Sequence, residues 1–396
     1  MTAEREIFKI VKWLMIASGT WRLDIDTISK TLYKVYLGYS YSVQFFYYSL
    51  IVSLGVEFTK LFGKNTDAAI ENVSKMCFAL LLVVKITLCQ SENILKLMRF
   101  AVKEEYDIFN GRDEATKNIY LDHITYCTRI TSATAIYSFG LGIYLSEIGI
   151  EKSFRFNKSH DMVNSTLDKP LPMPTWYPFD KNKHHAWALG YQVVEILLTA
   201  LYSGSVHAFT NSVMIFIRAQ LQILQYHFKN CHKSGAEYES NMPAANASGL
   251  KSLAVKHQQL IGWIEDLNES FKDLLLLEYS ISSLLLAAVI IQIFSGKDVG
   301  FNIVYFLLIF SQLLALAWNA NEIKEQSTEL SNALYSSKWY DQVQHVKVLV
   351  AIMMMRSQKP LTLSIGPFGP MTADAALSRL KLTYSYVSLM SGNLYD

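Results

Sequence analysis

The chain has 396 residues and a formal net charge of +2, and 51% of its residues are hydrophobic, 13% aromatic and only 18% charged. This composition is too apolar and too poor in charge for an ordinary water-soluble protein of this size. The near-neutral balance also gives no reason to expect a nucleic-acid partner. We therefore expect a protein that resides in membrane lipid.

The N-terminal segment, residues 1–34, carries a short apolar patch within KIVKWLMIASGTW. Charged residues interrupt this patch, so no cleavable signal peptide is expected. The pattern predicts an amphipathic helix that lies at the cytoplasmic membrane surface, anchored by Trp13 and Trp21.

Seven stretches each contain roughly 20 mostly apolar residues, the length that a helix needs to cross about 30 Å of hydrocarbon. They are Val35–Val56, Ala69–Leu88, Ile130–Ile150, Trp187–Phe216, Leu274–Phe294, Phe301–Asn319 and Thr372–Met390. Lipid offers no hydrogen-bond partner to the backbone, so runs this long are expected to be helices rather than barrel strands. The predicted fold class is an all-α, polytopic membrane protein with seven transmembrane helices, six of them in a bundle over residues 35–319.

The distribution of basic residues predicts the orientation in the membrane. An N-terminus inside the cell places most loop lysines and arginines on the cytoplasmic side, as the positive-inside rule requires. Seven spans then place the C-terminus outside. This arrangement is opposite to that of G-protein-coupled receptors, which disfavours that class.

The longest outside loop, residues 151–185, includes KPLPMPTWYPFD, which holds four of the eight prolines in the chain. Proline fixes φ and cannot continue a helix, so this stretch is either an extended linker or an ordered cap over the helix ends. Trp176, Tyr177 and Phe179 favour the cap, because three neighbouring aromatic residues are untypical of a solvated linker. The sequons at Asn157 and Asn164 lie in the same loop, and such triplets are frequent by chance.

The cytoplasmic loop, residues 220–272, has a Gly/Ser/Asn/Ala-rich break followed by an apolar face at helical spacing. The fifth helix is therefore expected to extend well below the membrane. Residues 320–359 are too charged to span and predict a cytoplasmic anchor helix. A Gly/Pro hinge over residues 360–371 then precedes the last apolar helix and C-terminus, residues 372–396.

No enzyme motif stands out, since the chain has no GxSxG, P-loop, HExxH or CxxC pattern. We expect no catalytic residue, no cofactor and no metal site. The neighbouring pair His184 and His185 lacks the further donors that a metal ion requires. The four cysteines are expected to be free thiols within the membrane or on its cytoplasmic side.

Lys85 and Glu195 are two of the ionisable residues that lie within the predicted spans. Lys85 is near the inner end of the second span, where its long side chain can snorkel to the membrane surface. Glu195 is well inside the fourth span, where a carboxylate is costly unless it has a partner or a function. Glu195 fits either an interhelical polar contact or a ligand or ion cavity.

The C-terminal region resembles that of a known family. The succession SSKWYDQ, MMMRSQKP, a Gly/Pro hinge and LTYSYVSLM resembles the C-terminal signature of insect odorant receptors, as does LPMPTWYPFD before the fourth span. The resemblance implies a subunit of a four-subunit, ligand-gated, nonselective cation channel in the plasma membrane of sensory-neuron dendrites. In that family the polar helix before the hinge belongs to a cytoplasmic anchor, and the last helix lines the pore.

The resemblance also implies a partner and a gate. The second cytoplasmic loop is shorter than that of the family's obligate co-receptor, so this chain resembles an odorant-tuning subunit that assembles with the co-receptor. Aligning Thr383 and Tyr384 with the family signature places the hydrophobic gate at Val387, with Ser391 one turn outward. Rings of apolar side chains block ions by dewetting.

The implied ligand is a small, volatile, apolar molecule, and membrane lipid surrounds the rest of the bundle. Its site is expected in the outer half of the bundle, in a cavity of aromatic and aliphatic residues between the second, third, fourth and sixth spans. The candidate ligand-binding residues are Met76, Leu80, Tyr137, Gly140, Tyr144, Tyr191, Val194, Asn302 and Tyr305.

Two other functions stay open at this point. A gustatory receptor subunit would share the architecture, but such relatives usually carry Gln-Phe after the Thr-Tyr motif, and this chain does not. A secondary transporter would show paired broken helices in two related halves, and the sequence has no internal repeat.

Overall fold

The structure, a computed structural model, describes residues 6–21, 30–64, 66–159, 169–230, 242–296 and 298–375, and also residues 377, 378, 381 and 385. Regular structure in these residues is helical, apart from an isolated bridge between Ser364 and Pro370. The α-helices are α1 (Lys9–Ala17), α2 (Lys30–Leu61), α3 (Thr66–Cys89), α4 (Glu92–Asn110), α5 (Glu114–Ser159), α6 (His185–Asn230), α7 (Met242–Phe294), α8 (Val299–Tyr335) and α9 (Gln344–Ser357). Two short 3-10 helices cover Trp339–Asp341 and Gly366–Phe368.

Among the described residues, four helices are long and apolar enough to cross a membrane, namely α5, α6, α7 and α8. The pair α3 and α4, bent by 60°, adds a fifth candidate if it is counted as one span. Helix α2 has 32 residues, enough to cross, but serine and tyrosine lower its mean hydropathy. The helices α2, α3 and α5 to α8 coincide with the first six predicted spans. The fold is all-α and polytopic, as predicted.

The seventh predicted span, Thr372–Met390, lies mostly outside the described residues. The described ones from Ala373 onward are helical. The Oγ1 atom of Thr372 accepts a hydrogen bond of 3.2 Å from the backbone N–H of Ala375, which is the geometry of an N-cap. A helix therefore begins directly after the hinge.

Helix α6 lies at the centre of the bundle and packs along α5 and α8. Its residues 202–217 are all buried, because other helices pack around this stretch, which includes the polar residues His207 and Asn211. A Cβ atom at Gly204 would lie 3.3 Å from the Cα atom of Ala135, so the glycine lets α5 and α6 approach closely. Helix α6 contributes lining residues to both cavities described below.

Helix α1 packs against the bundle core with one face. Val11 and Met15 are buried against α6, and the N–H of Ile7 donates a hydrogen bond of 2.8 Å to Glu105 on α4. Trp13 is 66% exposed, as expected of a membrane anchor, whereas Trp21 is buried. The prediction for Trp21 was wrong because tertiary packing, which the local pattern does not show, covers its ring.

The hinge end of the bundle is built from helices that continue past the predicted spans. Helix α7 begins at Met242, and α8 continues to Tyr335. The prediction of a single helix over residues 320–359 was wrong. This segment consists of the end of α8, a 3-10 turn and α9. The break falls at Ser336 and Ser337, whose hydroxyls donate to carbonyls of the last turn of α8, a competition that disfavours helix continuation.

Helix α4 lies in a stretch for which the sequence analysis made no prediction. Its residues Ile94, Leu97, Met98 and Ala101 share one face and are buried in the core. This spacing is typical of an amphipathic helix. The helix packs on α7 at the hinge end of the bundle.

The proline-rich loop is an ordered cap over one end of the bundle, as predicted. The N–H of Trp176 donates to the carbonyl of Ser53 on α2, and the hydroxyl of Ser53 donates to the carbonyl of Trp176 at 2.6 Å. The amide of Gln192 on α6 donates to the carbonyl of Met173 and to the hydroxyl of Thr175. These contacts hold the cap to two helices.

The hinge is equally ordered and is held by α7 and α8. The N–H of Leu361 donates to the hydroxyl of Ser327 on α8 at 2.9 Å. The N–H and hydroxyl of Ser364 both donate to Oδ1 of Asn268 on α7, at 2.7 and 2.8 Å. Gly366 has a φ of 50°, a conformation that side chains disfavour, which lets the chain reverse direction here.

Candidate functional site

The first candidate site, the central cavity, lies inside the cap end of the bundle between α2, α3, α5, α6 and α8. Its volume is about 90 Å³. The apolar lining consists of Leu50, Leu54, Phe78, Ala79, Leu141, Gly142, Leu145, Met173, Ile196, Ala200, Phe301 and Leu308. The lining residues with polar groups are Lys75, Ser138, Thr199, Ser203 and Tyr305.

Aromatic rings define the wall of the central cavity on the α8 side. Tyr305 is buried, and its ring lies 5.8 Å from that of Phe301 in a stacked arrangement. Phe78 of α3 meets Tyr305 edge to face at 6.1 Å. Such aromatic pairs contribute more stability than the burial of their apolar surface alone, so these contacts hold the rings of the wall in place.

The floor of the central cavity is set by the close approach of α5 and α6. A Cβ atom at Gly142 would lie 2.7 Å from the Cβ atom of Ala200. Both residues line the cavity. Only glycine fits at position 142 at this helix separation, because Ala200 has no flexible side chain that can move aside.

The structure distributes the nine predicted ligand-binding residues over several places. Tyr305 lines the central cavity, and Tyr191 lines a second cavity described below. Met76 and Tyr137 are partly buried beside the central lining, and Asn302 is buried at a polar mouth near the cap. Leu80, Gly140, Tyr144 and Val194 are exposed and line neither cavity.

Sequence reasoning missed most of the central lining. Gly142, Ala79 and Ile196 lie one or two positions from the predicted Gly140, Leu80 and Val194. A shift of one residue turns a helical side chain by about 100°, so a small error in assigning the inner face moves a residue from the cavity to the lipid. The signal in the sequence for position 142 was the glycine itself, because small residues let two helices approach closely.

The second site, the aromatic cavity, lies between α2, the cap and the first turns of α6. Its volume is about 620 Å³. The lining consists of Phe45, Tyr48, Ser49, Val52, Ser53, Trp176, Tyr177, Pro178, Phe179, Trp187, Tyr191 and Glu195. Within this lining, Glu195 supplies the only carboxylate.

Glu195 makes the interhelical polar contact that the sequence analysis considered. The hydroxyl of Ser49 on α2 donates to its Oε1 atom at 3.2 Å and shares a hydrogen bond of 2.7 Å with the hydroxyl of Tyr191. Glu195 is 2% exposed, and it also lines the aromatic cavity. It therefore both joins two helices and faces a space large enough for a ligand.

The cap holds two ionisable groups with shifted pKa values. Burial raises the pKa of the Tyr177 phenol to about 12, although a hydrogen bond with Thr175 opposes the shift. The backbone N–H groups of Asn182 and Lys183 lower the pKa of Asp180. Around neutral pH Tyr177 is uncharged and Asp180 is ionised.

A buried ion pair lies near the middle of the bundle. Lys85 on α3 pairs with Glu278 on α7, and both side chains are 4% exposed. The ammonium of Lys85 also donates to Nε2 of His207 on α6, at 3.1 Å. The expectation that Lys85 snorkels to the surface was wrong, because a carboxylate on the facing helix lies within reach. The cluster joins three helices.

The comparison with known families decides the identity. The sequence model of the 7tm Odorant receptor family matches residues 65–384, which is most of the chain. The chain belongs to the 7tm Odorant receptor family. It is a multi-pass protein of the cell membrane and a member of a receptor family.

Individual relatives agree with this membership. This receptor is 30% identical over 144 residues to odorant receptor Or2 of Anopheles gambiae, covering 36% of this chain and 38% of the relative. It is 26% identical over 186 residues to odorant receptor 10 of Aedes albopictus, covering 46% of this chain and 49% of the relative. The matched regions thus span half or less of these two relatives.

The fold agrees with a solved structure over nearly the whole chain. The insect olfactory receptor OR5 from Machilis hrabei in complex with eugenol superimposes with a TM-score of 0.76 and 16% identity, covering 97% of each chain. A second structure of the same receptor superimposes with a TM-score of 0.77. At 16% identity this likeness establishes the fold of the chain.

Proposed function

We propose that this chain is the odorant-binding, tuning subunit of a heteromeric, ligand-gated, nonselective cation channel. The observation that carries the proposal is the central cavity, a small and mostly apolar space enclosed by five helices and the cap. Such a space suits a small, apolar, volatile molecule, with the hydroxyls of Ser138, Ser203 and Tyr305 as orienting groups. The eugenol complex of the structural relative supports a ligand of this size class.

The ligand acts by shifting a population of states. A ligand opens the channel only if it binds the open state more tightly than the closed state. Helix α8 lines the cavity through Phe301, Tyr305 and Leu308 and continues without a break to Ser327, which holds the hinge at Leu361. A displacement of α8 at the cavity therefore reaches the start of the last helix.

The pore and its gate belong to the last helix in this proposal. The proposed gate and pore residues, Tyr384, Val387 and Ser391, lie outside the described residues. We expect Val387→Ala to raise the basal current of cells that also express the co-receptor, because a smaller side chain weakens the dewetted ring. Equal basal and evoked currents at matched surface expression would remove Val387 from the gate.

The proposed partner is the odorant co-receptor, assembled with this chain in a tetramer through a cytoplasmic anchor. Support comes from α9, where Val346, Val350 and Met353 are buried in the core. The opposite face exposes Val348, Ile352 and Met355 at spacings of four and three. A helix with apolar residues on both faces fits a second packing partner in the cytosol, with the N-terminus inside and the C-terminus outside.

The deciding experiment measures whole-cell current in cells that express this chain with the co-receptor, this chain alone, or the co-receptor alone. A panel of volatile molecules is applied, and cation current is expected only with both subunits. Tyr305→Ala is expected to shift the concentration for half-maximal response at unchanged surface delivery. Tyr340→Ala, an exposed tyrosine of the hinge end, is the matched control. Delivery of both subunits without any evoked current would refute the proposal.

A further inference from the structure

The aromatic cavity contains a carboxylate for which the described residues supply no cation. Glu195 is buried, and no lysine, arginine or histidine of the described chain pairs with it within 4 Å. Among the described residues, the side chain of Glu195 accepts a hydrogen bond from the hydroxyl of Ser49. A buried carboxylate without a cation is costly in a membrane, and such a residue is by default a candidate functional group.

The walls around this carboxylate are aromatic. Tyr48, Trp187 and Tyr191 come from α2 and α6, and Trp176, Tyr177 and Phe179 come from the cap. The Tyr177 ring lies 5.3 Å from that of Phe179 and 6.3 Å from that of Tyr191, which makes a continuous wall. The faces of aromatic rings attract cations, and groups of such rings recognise organic ammonium ions.

One ring of this wall already holds a cation. The ammonium of Lys60 lies 5.5 Å from the centroid of the Trp176 ring. Lys60 is exposed, so the contact forms at the rim and leaves the interior of the cavity open. The wall therefore shows the type of attraction that a ligand cation would use.

We propose that the aromatic cavity is a second ligand site that takes a small organic ammonium ion, either a quaternary ammonium or a protonated amine. The carboxylate of Glu195 would neutralise the charge, and the surrounding rings would contact the alkyl groups. A volume of about 620 Å³ has room for such an ion. This site goes beyond the proposed odorant site and does not depend on it.

The two cavities are separate and adjacent. Their linings share no residue. Ser49 and Glu195 face the aromatic cavity, while their neighbours Leu50 and Ile196 face the central cavity. An ammonium ion in one cavity therefore acts on the same two helices, α2 and α6, that enclose the other.

The free ion, and not a lipid headgroup, is the occupant that the geometry favours. Glu195 lies ten residues after His185, the first residue of α6, which is about 15 Å along the helix. A choline headgroup at the membrane surface near the start of α6 would not reach this depth. A small ion that passes the cap would.

The experiment measures binding of radiolabelled choline to the purified, full-length receptor in lipid nanodiscs. The competitor is 3,3-dimethylbutan-1-ol, which has the shape of choline without its charge. Saturable choline binding that the neutral alcohol does not displace at equal concentration is expected. Glu195→Gln, which keeps the shape of the side chain, is expected to lower choline affinity at least tenfold. Tyr340→Phe, at an exposed tyrosine that lines neither cavity, is the control and should leave the affinity unchanged.

A second variant keeps the proposal testable if Glu195→Gln, at a buried position, does not fold. Trp187 is 79% exposed, so Trp187→Leu should fold, and its loss of one ring is expected to weaken choline binding about threefold. Equal displacement by the neutral alcohol, or wild-type affinity in both variants, would overturn the proposal. Choline binding that disappears in phosphatidylcholine discs but is present in neutral glycolipid discs would instead assign the cavity to a lipid headgroup. Odorant-evoked current plays no part in this readout.

Discussion

Removing one member of the Lys85 and Glu278 pair is expected to destabilise the receptor strongly. Both side chains are 4% exposed and lie on different helices, so Lys85→Met leaves a buried carboxylate without its cation. Breaking such a pair costs about 3–5 kcal/mol, whereas replacing both members with apolar residues is often neutral or stabilising. We therefore expect the double variant Lys85→Met, Glu278→Leu to recover most of the stability that the single variant loses.

The assay is a double-mutant cycle on unfolding in detergent micelles, followed by fluorescence-detected size exclusion after heating. The exposed pair Lys152 and Asp298, with 46% and 39% exposure, is the matched control; its removal should cost no more than about 1 kcal/mol. His207 contacts Lys85, so Glu278→Leu alone tests whether histidine can replace the carboxylate. Additive losses in the double variant would refute the reasoning, because they would mean that the two charges do not stabilise each other.

Three further outcomes are expected. Gly142→Ala should cost about 1–3 kcal/mol by forcing α5 and α6 apart, and adding Ala200→Gly should restore the thermal midpoint if the 2.7 Å contact is the cause. Asn268→Ala removes two hydrogen bonds to the hinge and should reduce maximal evoked current at unchanged surface delivery; an unchanged maximum would show that the hinge moves independently of α7. Because the pKa of Tyr177 is raised from 10.0 to about 12, the unfolded state loses its proton first, and stability should fall by roughly 2–3 kcal/mol between pH 10 and 12. Tyr177→Phe should flatten that part of the stability curve relative to wild type.

Much of the fold could be predicted from the sequence because the membrane restricts the choices. An apolar run of sufficient length must be a helix in lipid, which is why α5 to α8 coincide with predicted spans. The proline-rich cap was also predictable, since Trp176 and its aromatic neighbours need cover. Helix α4 was missed, because its charged residues hid an apolar face that only the neighbouring α7 explains.

The candidate sites were less predictable. The aromatic cavity requires α2 to meet the cap and α6, and Ser53 and Ser49 on α2 are 123 and 146 residues away from their partners Trp176 and Glu195 in the chain. Glu195 was recognised as unusual from its position in a span, but its surroundings were not. Leu80 and Val194 have the apolar side chains expected in the lining of a ligand cavity, and yet both face outward. The reason is that the rotation of each helix about its axis depends on the helices packed against it.

The sequence by itself determined the all-α class, the positions of most spans and the hinge before the last helix. These properties depend on local quantities, namely the length of apolar runs, the backbone limits of proline and glycine, and the cost of an unpaired backbone in lipid. Only the tertiary structure decided which faces enclose the cavities, why Trp21 is buried and which partner Lys85 meets. Those properties depend on helix rotation and separation, which arise from packing between residues that are distant in the chain.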